Sequence, residues 1–145
     1  MCTEYADVLE RLIRRAELPV PYLELTLSRD RWDHRGFCFT DITDKYKSNA
    51  AGFEIAHTPG LIVINQAFVA HRYRGHGLGT LLAKLRVEAY YQLLAEEECA
   101  RENLDIIARV AVRNGEEQHI LEKLGWVKLT PTLWTLPKLR VKGDM

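Results

Sequence analysis

An apolar segment, a cluster of glycines and a long amphipathic segment follow one another in the middle of this chain. Leu61 to Ala70 (LIVINQAFVA) reads as a central strand covered on both faces, in which Asn65 and Gln66 mark a bulge or a wet site. Leu78 to Leu93 repeats apolar residues at helical spacing, with Arg86 on the opposite, polar side. Between them lies RGHGLGT, residues Arg74 to Thr80. A strand that turns through glycines into a helix directs several backbone N–H groups, and the positive end of the helix dipole, at one point. The sequence therefore predicts an anion-binding loop of the kind that holds phosphate.

Two common phosphate-binding motifs do not fit these residues. A Walker A loop needs a lysine and a Ser or Thr directly after its last glycine, whereas Gly79 is followed by Thr80 and Leu81. A dinucleotide-binding fingerprint has the spacing GxGxxG near the start of a βαβ unit, but here the spacing is GxGxG and a strand-rich segment precedes it. From the loop alone, a simple tight turn between strand and helix stays an equal alternative.

The periodicity along the chain predicts one mixed α/β domain over residues 1–145, because no linker, repeat or low-complexity tract divides it. A first helix, with apolar positions from Tyr5 to Ala16, follows a Thr3 cap, and Pro59-Gly60 predicts a hairpin turn. A short helix is predicted from Gly115 to Leu124. The predicted strands are Tyr22 to Ser28, Gly36 to Ile42, Gly52 to Ala56, Leu61 to Ala70, Leu104 to Val112, Trp126 to Leu129 and Leu133 to Leu136.

The composition argues against several classes of protein. Twenty basic residues balance 20 acidic ones, so no global field favours nucleic acid or an anionic membrane as a partner. The charged N-terminal residues and the lack of a long apolar run predict neither a signal peptide nor a membrane span, and hence a cytoplasmic protein. Cys2, Cys38 and Cys99 are odd in number and far apart, so we expect reduced structural thiols and no zinc site.

Two segments resemble the signatures of the GNAT acetyltransferase superfamily. Val69 to Gly79 resembles its acyl-CoA signature, with Arg74, Gly77 and Gly79 in the places of the Arg/Gln-x-x-Gly-x-Gly/Ala core. Asn114 to Trp126 is similar to the family's later motif, in which an Asn precedes a helix that ends in Lys-Leu-Gly-aromatic. The resemblance spans roughly Leu61 to Leu129, and two motifs in the right order are more specific than one.

The resemblance implies both a fold and an activity. The fold is a central mixed sheet, largely antiparallel and twisted, flanked by helices, with a central strand that splays from its neighbour before the acyl-CoA loop. The activity is transfer of an acetyl group from acetyl-CoA to an amine by direct attack in a ternary complex, without a metal. The acceptor would be a small-molecule amine or a protein, and a homodimer stays open. The alternative is a GNAT-fold protein that acts as a CoA-binding regulatory or partner-binding module.

The resemblance also assigns the coenzyme A contacts by position. The loop backbone would bind the pyrophosphate, while Phe68 and Val69 on the splayed strand would bind the pantetheine arm. The Val69 N–H would stabilise the oxyanion of the thioester. For Asn114, a capping box with Glu117 is favoured over ligand contact, although one residue could serve both. The implied cofactor-binding residues are Phe68, Val69, Arg74, Gly75, His76, Gly77, Leu78, Gly79, Thr80 and Asn114.

At the proton-donating position the chain departs from the family. Many members carry a tyrosine that protonates the departing thiolate, and Leu121 stands there in this sequence. Leucine has no proton to donate, so Tyr73, Tyr90, Tyr91 or a water molecule would have to take over.

The residue that accepts the amine proton is not obvious from the sequence. Glu54 and His57 are the nearest ionisable candidates, and Glu54 also reads as an ordinary solvent-facing strand residue. Asn65 would either order a water that relays the proton or be a buried amide satisfied by backbone groups. The candidate catalytic residues are therefore Glu54, Asn65 and Val69.

Overall fold

A computed structural model describes residues 2–138 of the chain. Met1 and residues 139–145, which the predicted domain also spans, lie outside the described residues. The elements in chain order are α1 (Tyr5–Arg15), β1 (Leu23–Arg29), β2 (Arg35–Asp41), β3 (Asn49–Thr58), β4 (Leu61–Val69), α2 (Leu78–Leu94), α3 (Glu97–Arg101), β5 (Asp105–Arg109), α4 (Gly115–Lys123), β6 (Val127–Thr130) and β7 (Leu133–Thr135). No helix among the described residues is long and apolar enough to cross a membrane.

The seven strands form one sheet in the order β1-β2-β3-β4-β5-β7-β6. All neighbouring strands pair antiparallel except β4 and β5, which are parallel and joined through α2 and α3. A parallel pair needs such a crossover, whereas β3 and β4 are joined by the two-residue turn Pro59-Gly60. The predicted hairpin and the largely antiparallel mixed sheet are confirmed.

Strand β4 lies at the centre of the sheet, as its apolar sequence predicts, but it is packed on one face only. Its buried positions alternate with more open ones, because α1 and α2 pack against each other over the same face. On the other face, Val63 and Asn65 are only half-buried. The expectation that this strand is covered on both sides was therefore wrong. We call this less covered side the open face of the sheet.

Strands β4 and β5 pair over five residues each and then separate. Their parallel register runs from Leu61 opposite Asp105 to Asn65 opposite Arg109, and β4 then continues to Val69 beside β3 alone. Gln66 has a φ of 55°, so the bulge predicted at Asn65 and Gln66 is present at this point. The predicted splay before the glycine loop is thus confirmed. We call the space beside residues 66–69 the gap.

The start of α1 differs from the prediction. Glu4 occupies the cap position without a side-chain hydrogen bond to the helix, and the Thr3 hydroxyl donates to Glu96 at 2.7 Å. The first helical N–H, that of Tyr5, instead donates to His57 Nδ1 at 3.1 Å. A tertiary contact therefore satisfies an N-terminal amide that the sequence would assign to a local cap.

One charged residue of α2 is buried, contrary to its predicted position on the polar face. Arg86 is 3% exposed, and its Nη2 lies 2.5 Å from Glu117 Oε1 of α4. Its guanidinium also stacks over the Phe53 ring of β3, and its backbone carbonyl accepts the Tyr5 hydroxyl at 2.7 Å. Arg86 thus connects α2 with α1, α4 and β3.

The cysteines were also predicted wrongly. Cys2 and Cys99 form a disulfide with a Cα–Cα distance of 4.7 Å, and only Cys38 is free. Cys99 lies in α3, a five-residue helix that was not predicted because it is too short for a clear apolar period. The disulfide joins the segment before α1 to the crossover between β4 and β5. Because this disulfide is present, the cysteines no longer support the prediction of a reducing compartment.

We expect the disulfide to stabilise the fold because it closes a loop with a sequence separation of 97 residues. Cross-links of long loops are typically worth about 2–4 kcal/mol, chiefly by restricting the unfolded chain. Cys2→Ser should therefore lower the melting temperature by several degrees under non-reducing conditions, measured by differential scanning calorimetry. Cys38→Ser is the matched control and should leave the melting temperature within about a degree. Equal melting temperatures for wild type and Cys2→Ser would contradict the prediction.

Candidate functional site

The glycine loop ends at the N-terminus of α2 and borders a small pocket. Gly77 caps this helix with a φ of 84°, a left-handed conformation that glycine adopts without the penalty of a Cβ atom. Gly79 is buried in the first turn, where a Cβ atom would lie only 3.1 Å from a Val69 methyl group and 3.3 Å from Ile120. The two glycines therefore allow both the turn and the close approach of α2 to β4 and α4.

The pocket has a volume of about 300 Å³ and lies between the loop and α4. Most of the predicted cofactor residues border it, but Phe68, His76 and Asn114 do not. Phe68 is 40% exposed and lies against Gly52 in a small hollow between β2, β3 and β4. The lining residues are Val69, Tyr73, Arg74, Gly75, Gly77, Leu78, Gly79, Thr80, Glu116, His119 and Ile120.

Arg74 is held at the rim of this pocket by two acceptors. Its Nε donates to the Val69 carbonyl at 2.9 Å and lies 2.9 Å from Glu116 Oε2. Glu116 belongs to the first turn of α4, where a carboxylate is favoured by the helix dipole. Its place in the site was not predicted from the sequence. The pocket thus contains a carboxylate at the place where an anion was expected.

The backbone of β4 presents polar groups to the gap. The Ala70 N–H donates to Ala50 of β3 at 2.8 Å, and alternation along an extended chain turns the Val69 N–H the opposite way, toward the gap. The Val69 carbonyl on this side accepts from Arg74, and the Ala67 carbonyl accepts from Asn114 Nδ2 at 2.9 Å. The Val69 N–H therefore faces the gap, and its role as donor to the thioester oxygen stays a prediction.

Asn114 both caps α4 and spans the gap to β4. Its Oδ1 accepts the Glu117 N–H at 3.2 Å while its Nδ2 donates to Ala67. The predicted cap is confirmed, but the reciprocal half of the capping box is absent because the Glu117 carboxylate pairs with Arg86.

The tyrosines considered as replacements for the family's proton donor use their hydroxyls elsewhere. Leu121 itself is 1% exposed and belongs to the core. Tyr90 donates to the Leu104 carbonyl at 2.7 Å, and burial raises its pKa. Tyr91 lies 3.4 Å from the Pro137 carbonyl. These hydroxyls therefore have partners away from the glycine-loop pocket.

Tyr73 borders the pocket but directs its hydroxyl into a separate acidic cluster. The hydroxyl donates to Asp41 Oδ2 at 2.8 Å, and both burial and this bond raise the pKa of Tyr73. Hydrogen bonds from Thr43 and then from Tyr73 lower the pKa of Asp41, which keeps it a carboxylate. Arg72 lies 3.8 Å from Asp41 and 3.6 Å from Asp44. This cluster anchors the start of the glycine loop to the turn after β2.

The candidate proton acceptors lie in two separate places. Glu54 is directly opposite Asn65, which is directly opposite Arg109, so the three side chains share the open face. They line a cleft of about 710 Å³ together with Gln66, His34 and Thr132. His57 lies instead near the hairpin turn, where its Nδ1 accepts the Tyr5 backbone N–H. Burial lowers the pKa of His57. The structure thus brings Glu54 and Asn65 together and excludes His57.

A group of potential metal ligands lies near the hairpin turn. Ligand atoms of Cys2, His57 and Glu102 lie within 4.8 Å of one another. The Cys2 sulfur is bonded to Cys99, and a disulfide sulfur is not the thiolate that zinc prefers. This group therefore lacks a thiolate ligand while the disulfide is intact.

Comparison with known proteins finds no matching family model and no matching curated protein. Solved structures do match. A Klebsiella pneumoniae protein provisionally named an acyl-CoA N-acyltransferase is 11% identical, with a TM-score of 0.51 over 79% of this chain and 97% of that one. The KacTA–DNA complex matches at 12% identity, with a TM-score of 0.50 over 72% and 67% of the two chains. Nourseothricin acetyltransferase is 13% identical, with a TM-score of 0.49 over 80% and 84%.

At these identities the likeness concerns the path of the chain and not its chemistry. In this chain the fold combines the mixed sheet, the splay after the β4–β5 pairing and the glycine loop that opens α2. The described part of this chain has the fold of the GNAT acyltransferases.

Proposed function

We propose that this protein is an N-acetyltransferase that uses acetyl-CoA and transfers its acetyl group to an amine in a ternary complex. The observation that carries the proposal is that one strip of β4 borders three features. The gap lies beside residues 66–69, Gln66 at one end of this strip lines the cleft on the open face, and Val69 at the other end lines the pocket at the start of α2. The pocket suits a pyrophosphate and the gap an extended pantetheine arm. The cleft leaves room for an acceptor on the opposite side of the sheet.

The binding step follows from the charges and N–H groups of the loop. The N–H groups of the first turn of α2 point at the pyrophosphate, and Gly77 and Gly79 allow it to approach closely. Arg74 and the Thr80 hydroxyl add side-chain donors. When the phosphates arrive, Arg74 exchanges its contact with the Glu116 carboxylate for a contact with the ligand.

In the chemical step, the amine nitrogen attacks the carbonyl carbon of the thioester. A C–N bond forms, negative charge develops on the carbonyl oxygen, and the Val69 N–H stabilises that charge. Glu54 accepts the proton that the amine loses, directly or through a water held by Asn65. Collapse of the intermediate breaks the C–S bond.

The thiolate of coenzyme A leaves without help from a tyrosine. A thiol has a pKa near 8.5, so the thiolate is an acceptable leaving group and water protonates it afterwards. General acid catalysis is typically worth about 10²–10⁴-fold in rate. The Leu121 position therefore implies a slower enzyme and not an inactive one.

The second candidate function is a coenzyme A-binding module that regulates or binds a partner. It is supported by the core position of Leu121 and by the engaged hydroxyls of Tyr73, Tyr90 and Tyr91. A module would bind the cofactor without transferring its acetyl group. Measurements of binding and of thiol release separate the two functions.

Acetyl-CoA should raise the melting temperature of the protein, and Arg74→Glu should remove that rise. At 100 times its dissociation constant a ligand adds about 2.7 kcal/mol of stability, which corresponds to roughly 5–10 °C for a chain of this size. The shift is measured by thermal denaturation, each variant against its own ligand-free state. Arg101→Glu, the same charge reversal on α3, is the control and should keep the shift. No shift of the wild type at millimolar acetyl-CoA would refute the cofactor.

Glu116→Gln should tighten the binding of acetyl-CoA by roughly 3- to 10-fold, because it removes a negative charge from the phosphate pocket. Isothermal titration calorimetry at low and high salt measures the effect, which should shrink as salt screens the charge. Glu122→Gln, on an exposed position of the same helix, is the control. An unchanged or weaker affinity would mean that Glu116 orients Arg74 for the ligand instead of competing with it.

Glu54→Gln should lower kcat for acetyl transfer by about 10²-fold while leaving the affinity for acetyl-CoA unchanged, because only the proton acceptor is lost. The measurement is release of the coenzyme A thiol with a panel of amines, peptides and proteins. Glu24→Gln, exposed on β1, is the control and should retain wild-type rates. Unchanged turnover in Glu54→Gln would mean that water alone accepts the proton. If the wild type binds acetyl-CoA tightly but releases no thiol with any acceptor in the panel, the result would favour the coenzyme A-binding module.

A further inference from the structure

We propose that the cleft on the open face binds an acceptor that carries a carboxylate close to its amine, and that Arg109 is the residue that binds this carboxylate. The acceptor class is therefore a small amino acid, as opposed to a polyamine or a simple alkylamine. The inference rests on the proposed function, since it names the second substrate of the same reaction.

The cleft has the size and the polar lining of a small-molecule site. Its volume of about 710 Å³ lies within the range of about 300–1,000 Å³ that ligand pockets occupy. Hydrogen-bonding side chains converge on it from three neighbouring strands, namely Glu54, Asn65 and Arg109. Apolar contact comes from Val110, Ala111 and Leu133. An acceptor of a few carbon atoms fits such a lining.

The two charged groups that face each other across the cleft are both unpaired. Within residues 2–138, neither the Glu54 carboxylate nor the Arg109 guanidinium forms an ion pair or a side-chain hydrogen bond. His34, the remaining titratable group of the lining, pairs with Asp30 at 3.2 Å. The cleft therefore offers one free negative group and one free positive group to a ligand.

The separation of these groups selects the ligand. Glu54 and Arg109 lie two strands apart with Asn65 between them, which separates their Cα atoms by about 10 Å. Their side chains extend over much of that distance. The space left between the Glu54 carboxylate and the Arg109 guanidinium therefore suits a ligand whose ammonium and carboxylate groups are a few bonds apart. A charge-assisted, bidentate contact of arginine with carboxylate is among the stronger hydrogen-bonded pairs. A polyamine would instead bring like charge to Arg109.

The orientation that results is productive for acyl transfer. Gln66 lines the cleft and begins the strip of β4 that borders the gap. The β4–β5 pairing ends at Arg109, and Glu54 lines a smaller hollow together with Gln66 and Phe68, so both charged groups lie beside the proposed thioester position. The carboxylate on Arg109 holds the acceptor, whose ammonium first loses one proton to solvent. The neutral amine then attacks the thioester carbon and loses its second proton to Glu54 as the C–N bond forms and the C–S bond breaks. Arg109 acts only on binding and orientation and takes no part in bond making.

The test compares α-amino acids with their C-terminal amides, which keep the amine and remove the carboxylate. In the thiol-release assay, wild type should use at least one amino acid with a KM roughly 10- to 100-fold below that of its amide. Arg109→Gln should remove that preference by raising the KM of the amino acid, with a smaller change in kcat. Arg113→Gln, which removes the same charge from an exposed position outside the cleft, should behave as wild type.

Equal use of amino acids and amides, or an Arg109→Gln variant with an unchanged preference, would overturn the inference while the acyltransferase function stands. If no amine releases thiol, binding decides: with coenzyme A bound, amino acids but not amides should raise the melting temperature further, and Arg109→Gln should abolish that rise. Absence of this second shift would overturn the inference. Its presence would support the amino acid site even though the proposed catalysis had failed.

Discussion

The buried pair of Arg86 and Glu117 is the interaction on which the arrangement of the site depends. Arg86 is 3% exposed and Glu117 6%, so both charges are removed from water and each is tolerable only because the other is present. Loss of one partner of such a pair typically costs about 3–5 kcal/mol. The pair fixes α4 beside α2, and the Arg86 guanidinium over Phe53 fixes both helices on the sheet.

The position of α4 in turn determines the geometry around the gap. Asn114, its cap residue, bonds to the Ala67 carbonyl of β4, and Glu116 in its first turn holds Arg74. Arg74 also bonds to the Val69 carbonyl. The two β4 carbonyls that face the gap thus have side-chain donors, and the Val69 N–H points to the same side. A change at Arg86 would reach the site through this chain of contacts, although Arg86 itself borders neither the pocket nor the cleft.

The divergence of β4 and β5 lies between the two cavities to which the proposed function assigns the two substrates. The glycine loop and the pocket between α2 and α4 lie on the side covered by helices, whereas the cleft with Glu54 and Arg109 lies on the open face. The gap beside residues 66–69 is the passage between them. In the proposed function the two substrates meet there from opposite sides, as direct transfer in a ternary complex requires.

The sequence by itself determined the elements whose causes are local. The order of the strands and of the helices other than α3 follows from periodicity. The Pro59-Gly60 turn, the bulge near Gln66 and the cap at Asn114 follow from the conformational preferences of a few residues. The glycine spacing and its later companion motif likewise indicated the fold. These signals act over a few residues, so they can be predicted before any tertiary contact is known.

Only the tertiary structure decided which charged and sulfur-containing side chains meet. Arg86 reads as a polar helix residue until Glu117, 31 positions later, is brought beside it. Cys2 and Cys99 are 97 residues apart, and α1 begins on His57 instead of on Thr3. Glu54 on β3 and Arg109 on β5 share a cleft because both lie in register with Asn65 on β4, the strand between them. Such pairings depend on strand order and helix packing, which bring together residues with no relation along the chain.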